Sequence, residues 1–166
     1  MQRQHHGEHG MSSTRALMFL SLLFAALALV PAGAHLAELP NKISLPGEEY
    51  LVVQQLYMGW ALFGFVVLGA LGSSAALAVA LWRQAGIFWP ALVAFLCIAL
   101  TQAVFWTFTF PVNRATENWT MLPENWAALR SQWEYSHATS AILNLIALLA
   151  LAALAARRWE SASPRG

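Results

Sequence analysis

Four long apolar stretches constrain the fold of this chain more than any other feature of its sequence. They run from about Ala16 to Ala34, Leu56 to Trp82, Ile87 to Phe110 and His137 to Ala156. A helix needs about 20 mostly apolar residues to cross a bilayer, where its backbone must satisfy its own hydrogen bonds. The sequence therefore predicts an all-α membrane protein, a four-helix transmembrane bundle in contact with the lipid bilayer.

The composition supports a membrane protein. Hydrophobic residues make up 58% of the 166 residues and charged residues 10%, whereas soluble domains average about 45–50% and 25%. These proportions exclude a soluble enzyme and a nucleic-acid-binding protein. The formal net charge of +1 is too small to attract an acidic partner, and the single cysteine, Cys97, cannot form an internal disulfide.

We divide the chain into a flexible N-terminal extension (1–13), a transmembrane domain (14–158) and a C-terminal tail (159–166). Either Met1 or Met11 is the native start. The apolar run after Arg15, which ends in Ala32-Gly33-Ala34, also fits a signal peptide with its cleavage site, although it exceeds the usual apolar length of about 7–15 residues.

The positive charges predict an orientation. With four crossings, both termini and the turn at Arg83 share one side of the membrane. Six arginines and two glutamates lie there, and the opposite side carries Lys42, Arg114, Arg130 and six glutamates. Because positive residues concentrate on the cytoplasmic side, we expect cytoplasmic termini in a multi-pass protein of a bacterial inner (plasma) membrane. The long loop between helices 3 and 4, residues 111–136, then faces outward.

Two short polar motifs meet at the outer boundary of this topology. His35-x-x-Glu38 closes the first span and Glu134-x-x-His137 opens the fourth, and residues three apart share a helix face. Further along the fourth helix, one face carries a stripe that should point into the bundle, because polar side chains are costly in lipid. The stripe comprises Trp126, Arg130, Trp133, His137 and Asn144.

Three interpretations of this convergence remain open. One is a metal site with His35, Glu38, Glu134 and His137 as ligands, because carboxylate and histidine side chains on facing helices hold metals in di-iron bundles. The second is cofactor-free acid–base chemistry, in which a histidine beside a carboxylate removes a proton and Asn113, Arg114 or Arg130 stabilises the anion. The third is a structural ion-paired cluster of Arg130, Glu134 and His137, with His35 and Glu38 in interfacial water. We expect no cofactor, with a metal ion as the alternative.

Aromatic residues recur in the outer segment. Trp119, Trp126 and Trp133 lie seven residues apart. Tryptophan favours the headgroup level of a membrane, so these residues form either an interfacial belt or the lining of a pocket for a flat hydrophobic ligand. Gln54 and Tyr57, at the start of the second span, would contribute to such a pocket.

The segments FPVNRATENW (110–119), WEYSH (133–137), HLAELPNK (35–42) and QQLYMGW (54–60) together resemble the small four-helix integral membrane proteins grouped with anthrone oxygenases. The resemblance covers roughly residues 16–156. It implies a monooxygenase that oxidises an anthrone methylene with molecular oxygen and without flavin or haem. It also implies that His137 forms the anthrone carbanion, which itself reduces oxygen; the matching site positions are Asn113, Trp119, Arg130, Trp133 and His137.

We therefore expect an oxygenase-like enzyme that acts on a hydrophobic aromatic or quinol-type compound at an outer-boundary pocket. One alternative is a non-catalytic membrane subunit that binds a partner or lipid, and another is a His/Glu metal-binding bundle. The sequence predicts no oligomeric state. The expected catalytic residues are His137, Glu134, Arg130 and Asn113, and the expected binding residues are Trp119, Trp126, Trp133, Gln54 and Tyr57.

Overall fold

The computed structural model describes the backbone of residues 2–162 and the side chains of residues 13–158. Met1 lies outside the described residues. So do the side chains of residues 1–12 and 159–166, some of which contributed to the charge count. The helices are α1 (Gln2–Lys42), α2 (Gly47–Gln54), α3 (Phe63–Leu81), α4 (Ala85–Val104), α5 (Phe110–Ala115) and α6 (Trp126–Ala162). Two 3₁₀ turns (Gln55–Tyr57, Trp60–Leu62) and a π segment (Phe105–Thr109) complete the regular structure of this part of the chain.

Four helical stretches are long and apolar enough to cross a membrane. They are Ser13–Lys42, Trp60–Leu81, Ala85–Ala115 and Trp126–Arg158. The prediction of an all-helical chain with four such helices is therefore confirmed. Three of the four stretches extend further toward the α2 end of the bundle than the predicted apolar runs. The turns at that end are helical but carry polar residues, so hydropathy does not include them in a span.

The third span does not stop at Pro111. The π segment continues α4 directly into α5, and Pro111 lies in the first turn of that helix. Proline cannot donate a backbone hydrogen bond, and it is tolerated where the regular pattern is already interrupted. The non-helical connection to α6 is consequently only residues 116–125, shorter than the predicted 111–136.

Two side chains of α6 hold the π segment in place. Thr109 Oγ1 and Ser136 Oγ are 2.8 Å apart, and Gln132 Nε2 donates to the carbonyl of Phe108 over 2.9 Å. A π segment weakens the regular hydrogen-bond pattern of a helix, so polar partners on the neighbouring helix compensate. The contact fixes the height of α5 relative to α6.

The second span begins later than predicted. Gly59 adopts φ +86°, in the left-handed region, between the two 3₁₀ turns. Only glycine reaches this region without steric cost, so the chain changes direction here and α3 starts at Phe63 rather than near Leu56. Tyr57 and Trp60, on either side of Gly59, both turn toward α1, where their rings contact His35.

The half of the bundle nearer the termini is apolar, and we call it the apolar half. Helices α1, α3, α4 and α6 meet there through alanines and larger aliphatic side chains. Small residues let helices approach closely in a membrane. At Gly69, an added Cβ would lie 2.8 Å from the ring of Phe24. The buried residues of this half are Met18, Ala25, Ala70, Leu77, Ala78, Leu81, Ala91, Ala94, Ile98, Ala147, Leu151 and Leu154.

Candidate functional site

The ammonium of Lys42 lies at the centre of a polar cluster at the other end of the bundle. Lys42 is the last residue of α1 and is only 3% exposed. Its Nζ lies 2.8 Å from Tyr57 Oη, 3.2 Å from Glu134 Oε1, 3.3 Å from His35 Nδ1 and 3.4 Å from Glu38 Oε2. We call these five residues the Lys42 cluster.

Glu134 supplies the buried negative charge of the cluster. It is fully buried, and its Oε1 accepts hydrogen bonds from both Lys42 Nζ and Tyr50 Oη, the latter over 2.8 Å. A charge removed from water is tolerated only when it is paired and hydrogen-bonded. Glu134 thus links α1, α2 and α6, while its second oxygen, Oε2, is buried without a hydrogen-bond partner among the described residues.

Burial and neighbouring carboxylates raise the pKa of both tyrosines that join the cluster. Desolvation is the larger cause for Tyr50 and Tyr57, followed for Tyr50 by the charge of Glu134 and for Tyr57 by its hydrogen bond to Glu38. Both phenols therefore remain protonated and donate hydrogen bonds at neutral pH.

The two histidines predicted at the boundary are brought together by the fold. The ring centroids of His35 and His137 are 4.2 Å apart. Because the ammonium of Lys42 can only donate, Nδ1 of His35 must accept, which places the proton of a neutral His35 on Nε2. Nε2 of His137 is buried and has no hydrogen-bond partner within residues 13–158.

Aromatic rings surround the histidine pair. Trp133 contacts both rings, with centroid distances of 4.9 Å to His35 and 4.2 Å to His137. Tyr57 and Trp60 contact His35 at 4.4 Å and 5.6 Å. The structure thus places a basic nitrogen among flat apolar surfaces, which is the kind of surface that binds a hydrophobic aromatic compound.

Asn113 positions a ring rather than meeting the histidines. Its Oδ1 accepts a hydrogen bond of 2.7 Å from Nε1 of Trp133. Trp133 is 5% exposed and Trp119 4% exposed, and their rings meet edge-on at 6.1 Å. An interfacial belt therefore does not describe these two tryptophans, because both are buried inside the bundle end.

A strained turn delivers Trp119 to its position. Glu117, Asn118 and Trp119 have φ of 49°, 57° and 60°, three consecutive left-handed residues without glycine. Such conformations are costly for residues with a Cβ. Burial of the Trp119 ring, 4.9 Å from Tyr50, offsets part of that cost.

Arg130 and Trp126 form a second set of contacts, between α6 and the loop before α2. Arg130 donates to the carbonyl of Leu45 over 2.6 Å, and its guanidinium lies 4.7 Å from the ring of Trp126 and 5.5 Å from that of Tyr50. These contacts clamp the loop before α2 onto α6. Gln54 is buried in α2, one turn after Tyr50.

The predicted His–Glu pairs do not form within each motif. Among the described residues, no hydrogen bond or ion pair joins either histidine directly to Glu38 or Glu134, and both carboxylates turn to Lys42 instead. In the same part of the chain, no group of three or more His, Cys, Asp or Glu side chains is placed to hold a metal ion. Three of the four predicted ligands, His35, Glu38 and Glu134, contact the ammonium of Lys42, which a metal bound to them would have to displace.

Lys42 and Tyr50 were missed by the sequence analysis. The sequence did contain a signal for Lys42, since a lysine four residues after Glu38 lies on the same helix face. Tyr50 is recognisable as a polar residue at the outer end of the second span, but its pairing with Glu134, 84 residues away, could not be predicted.

A shallow groove of about 350 Å³ lies on the opposite face of α6 from the histidines. It is outside the Lys42 cluster and shares no residue with it. Its exposed rings, Phe108 and Tyr135, are 49% and 59% accessible. The lining residues are Val104, Phe108, Ser131, Gln132, Tyr135, Ser136 and Thr139.

Comparisons with protein-family models, with curated proteins and with solved structures found no match for this chain. The resemblance to the anthrone-oxygenase group thus gains no support from them, and its functional implications depend on the geometry of the site.

Proposed function

We propose that this protein binds a flat hydrophobic aromatic compound, of the anthrone or quinol type, at the end of the bundle formed around the Lys42 cluster, and oxidises it with molecular oxygen. The observation that carries the proposal is the buried Nε2 of His137, which lacks a hydrogen-bond partner among the described residues and belongs to a ring 4.2 Å from Trp133. In the tautomer that carries its proton on Nδ1, the lone pair of this Nε2 is free to act as a general base.

The chemistry needs a base, an electrostatic stabiliser and a water-poor environment. Nε2 of His137 removes a proton from the activated methylene of the substrate, and Lys42 stabilises the resulting oxyanion form of the carbanion. The carbanion transfers electrons to dioxygen, and a bond forms between its carbon and one oxygen atom; return of the proton to the outer oxygen gives a hydroperoxide. Loss of water from the hydroperoxide leaves the new carbonyl, so one dioxygen supplies one carbonyl oxygen and one water.

The proposal reassigns several predicted roles. Lys42, rather than Arg130 or Asn113, supplies the positive charge nearest the histidines, because Arg130 is engaged with Leu45 and Asn113 with Trp133. Trp133, Tyr57 and Trp60 provide the flat surfaces, while Glu134 holds Lys42 in position.

We further propose the predicted orientation, with both termini cytoplasmic and the Lys42 cluster at the outer boundary. Its support is the distribution of charge between the two ends of the bundle. Arg83 lies against the ring of Trp82 at 4.7 Å, and Arg157 donates to the carbonyl of Gly86 at the same end. Arginines at this end and six glutamates at the other follow the positive-inside rule.

Anthrone oxidation by purified protein in mild detergent tests the enzyme proposal. Formation of anthraquinone and uptake of oxygen are followed with wild type and His137→Gln, with a protein-free sample to subtract spontaneous oxidation. Loss of a general base lowers rates by about 10²–10⁴-fold, so we expect at least a hundredfold loss. Thr139→Val, an exposed position on the opposite face of α6, should retain wild-type turnover. Equal rates for wild type and His137→Gln would contradict the proposal.

A non-catalytic role as a partner- or lipid-binding subunit is the second candidate, and the groove on α6 favours it. A concave surface that combines rings with polar side chains, here Gln132 and Thr139, is typical of binding sites. Co-purification of a partner or lipid that disappears in Tyr135→Ala, while turnover by the Lys42 cluster stays undetectable in wild type, would favour this candidate over the enzyme.

A further inference from the structure

Two hydrogen-bond donors of the Lys42 cluster converge on a single oxygen atom. Tyr57 Oη donates to Glu38 Oε2, and Lys42 Nζ lies 3.4 Å from the same atom. Tyr57 and Lys42 are themselves joined by a hydrogen bond of 2.8 Å. A neutral donor and a cation aimed at one point is the arrangement by which proteins hold an oxyanion.

The two carboxylates that share Lys42 are not equivalent. The Glu134 side chain is fully buried and fixed by Tyr50, whereas the Glu38 side chain is 42% exposed. An ion pair whose carboxylate is partly exposed contributes little, because water competes for that carboxylate. Glu38 can therefore leave the ammonium for water at little cost, and Glu134 cannot.

We propose that Glu38 occupies the place of the ligand's own anionic group, and that the ligand is an aromatic compound carrying an oxyanion which displaces Glu38 from Tyr57 and Lys42. This inference rests on the proposed function for the location of the site and adds the charge of the ligand. It makes Tyr57 and Lys42 the residues that determine specificity.

The exchange leaves the charge of the buried cluster unchanged. Before binding, Lys42 is balanced by Glu134 and Glu38; after binding, the ligand oxyanion takes the second position and Glu38 is solvated. A neutral ligand would have to enter beside both carboxylates, without the gain from Lys42. The site therefore prefers an anion to an isosteric neutral compound.

The rings around the position of Glu38 fit the rest of such a ligand. Tyr57 lies under the ammonium of Lys42, with Nζ 4.6 Å from its centroid, and Trp133 lies 5.5 Å from the same nitrogen. Trp60 packs edge-on against Tyr57 at 4.9 Å. An oxyanion bound to Lys42 would place an attached aromatic system against these rings.

Binding of two matched probes tests the inference without requiring turnover. Anthraquinone-2-carboxylate carries the oxyanion, and anthraquinone-2-carboxamide is its neutral isostere. Titration of the purified protein in detergent, read out by quenching of tryptophan fluorescence, gives a dissociation constant for each probe. We expect wild type to bind the carboxylate more tightly than the carboxamide.

The decisive variant is Glu38→Gln. Removing the internal competitor should tighten carboxylate binding by roughly twofold to fivefold, the equivalent of a partly exposed ion pair, and leave carboxamide binding unchanged. Glu124→Gln removes an exposed carboxylate from the connection between α5 and α6 and should change neither constant. Tyr57→Phe removes one donor and should weaken carboxylate binding by roughly tenfold, as for a hydrogen bond to a charged group.

The outcomes separate this inference from the proposed function. Weaker or unchanged carboxylate binding by Glu38→Gln would overturn the displacement, whether or not anthrone is oxidised. Tighter binding by Glu38→Gln in a protein that leaves anthrone unoxidised would support the displacement and reject the oxygenase. If wild type binds neither probe, the displacement is overturned, and the oxygenase is then judged by anthrone oxidation alone.

Discussion

The two ends of the bundle are held together by different interactions. In the apolar half, α1, α3, α4 and α6 meet through alanine and aliphatic side chains, and the buried Ser74 hydroxyl there bonds its own helix, at Ala70. At the other end, a buried lysine, a buried glutamate and a histidine pair join the helices.

This difference separates the apolar packing that the bundle needs to fold from the buried charges, which lower stability when unpaired. Packing of small and aliphatic residues is sufficient to associate helices in a membrane. Buried charges add little stability when paired and cost much when one partner is removed. A charged cluster at one end of an otherwise apolar bundle therefore indicates a functional role.

The largest effect is expected from leaving one buried charge unpaired. Lys42→Met should lower the free energy of unfolding by about 3–5 kcal/mol, because Glu134 would remain buried without its cation. The double variant Lys42→Met with Glu134→Leu should recover most of the loss. Thermal unfolding in detergent, followed by circular dichroism, measures both. If the losses in unfolding free energy from the two substitutions simply add, the two charges are independent. The end that contains the Lys42 cluster would then not depend on charge pairing.

A cavity in the apolar half should lower the free energy of unfolding by less and should leave ligand binding unchanged. Leu77→Ala removes a fully buried side chain and should cost about 2 kcal/mol, at the low end for leucine truncation, because lipid offers no hydrophobic driving force to lose. Binding of anthraquinone-2-carboxylate should stay at its wild-type value. A change in that affinity would mean that the two ends are coupled.

These two regions also differ in how well the sequence predicts them. The four spans follow from length and hydropathy, which act locally. The approach of His35 to His137 follows from the order of the crossings, which places both at one end. The position of Lys42 does not follow, since a lysine at a helix end ordinarily extends its ammonium into water, and only the tertiary placement of Glu134 and Tyr57 turns it inward.

Backbone irregularities were equally inaccessible from the sequence. The apolar run through Leu56 gave no sign that Gly59 would adopt a left-handed conformation, because glycine is also common inside membrane helices. Pro111 was interpreted as a boundary because proline usually ends a helix. The preceding π segment, which depends on Ser136 and Gln132 of another helix, reverses that expectation.

A comparison of two glycines separates a left-handed backbone position, Gly59, from an ordinary helical one, Gly33. Gly59→Ala should lower stability by about 1–2 kcal/mol, because an alanine at φ +86° is strained. Gly33→Ala lies in α1, and its added Cβ would meet nothing within 4 Å, so stability should hold or rise by up to about 1 kcal/mol. Unfolding in detergent measures both, and equal effects would contradict the assigned role of Gly59.

The smallest expected change in stability is at alkaline pH. The pKa of Tyr50 and Tyr57 is raised above the ordinary 10.0 by burial and neighbouring carboxylates. The folded state therefore holds these protons more tightly than the unfolded state, so their contribution is complete below about pH 10 and decreases as the pH rises further. Tyr50→Phe should make the fall in melting temperature between pH 9 and pH 11 shallower than in wild type. An identical slope would show that Tyr50 does not respond to its buried surroundings.

The π segment makes the effect of a one-residue deletion depend on where the deletion falls. A π turn holds one residue more than the α-turn it replaces, and the wider turn absorbs that residue, so the helix after it keeps its face toward α6. A deletion in the regular part of α4 has no such compensation and rotates everything after it by about 100°. Asn113 would then turn away from Trp133, its partner across 2.7 Å, whereas a deletion between Phe105 and Thr109 would restore a regular helix and leave this contact in register.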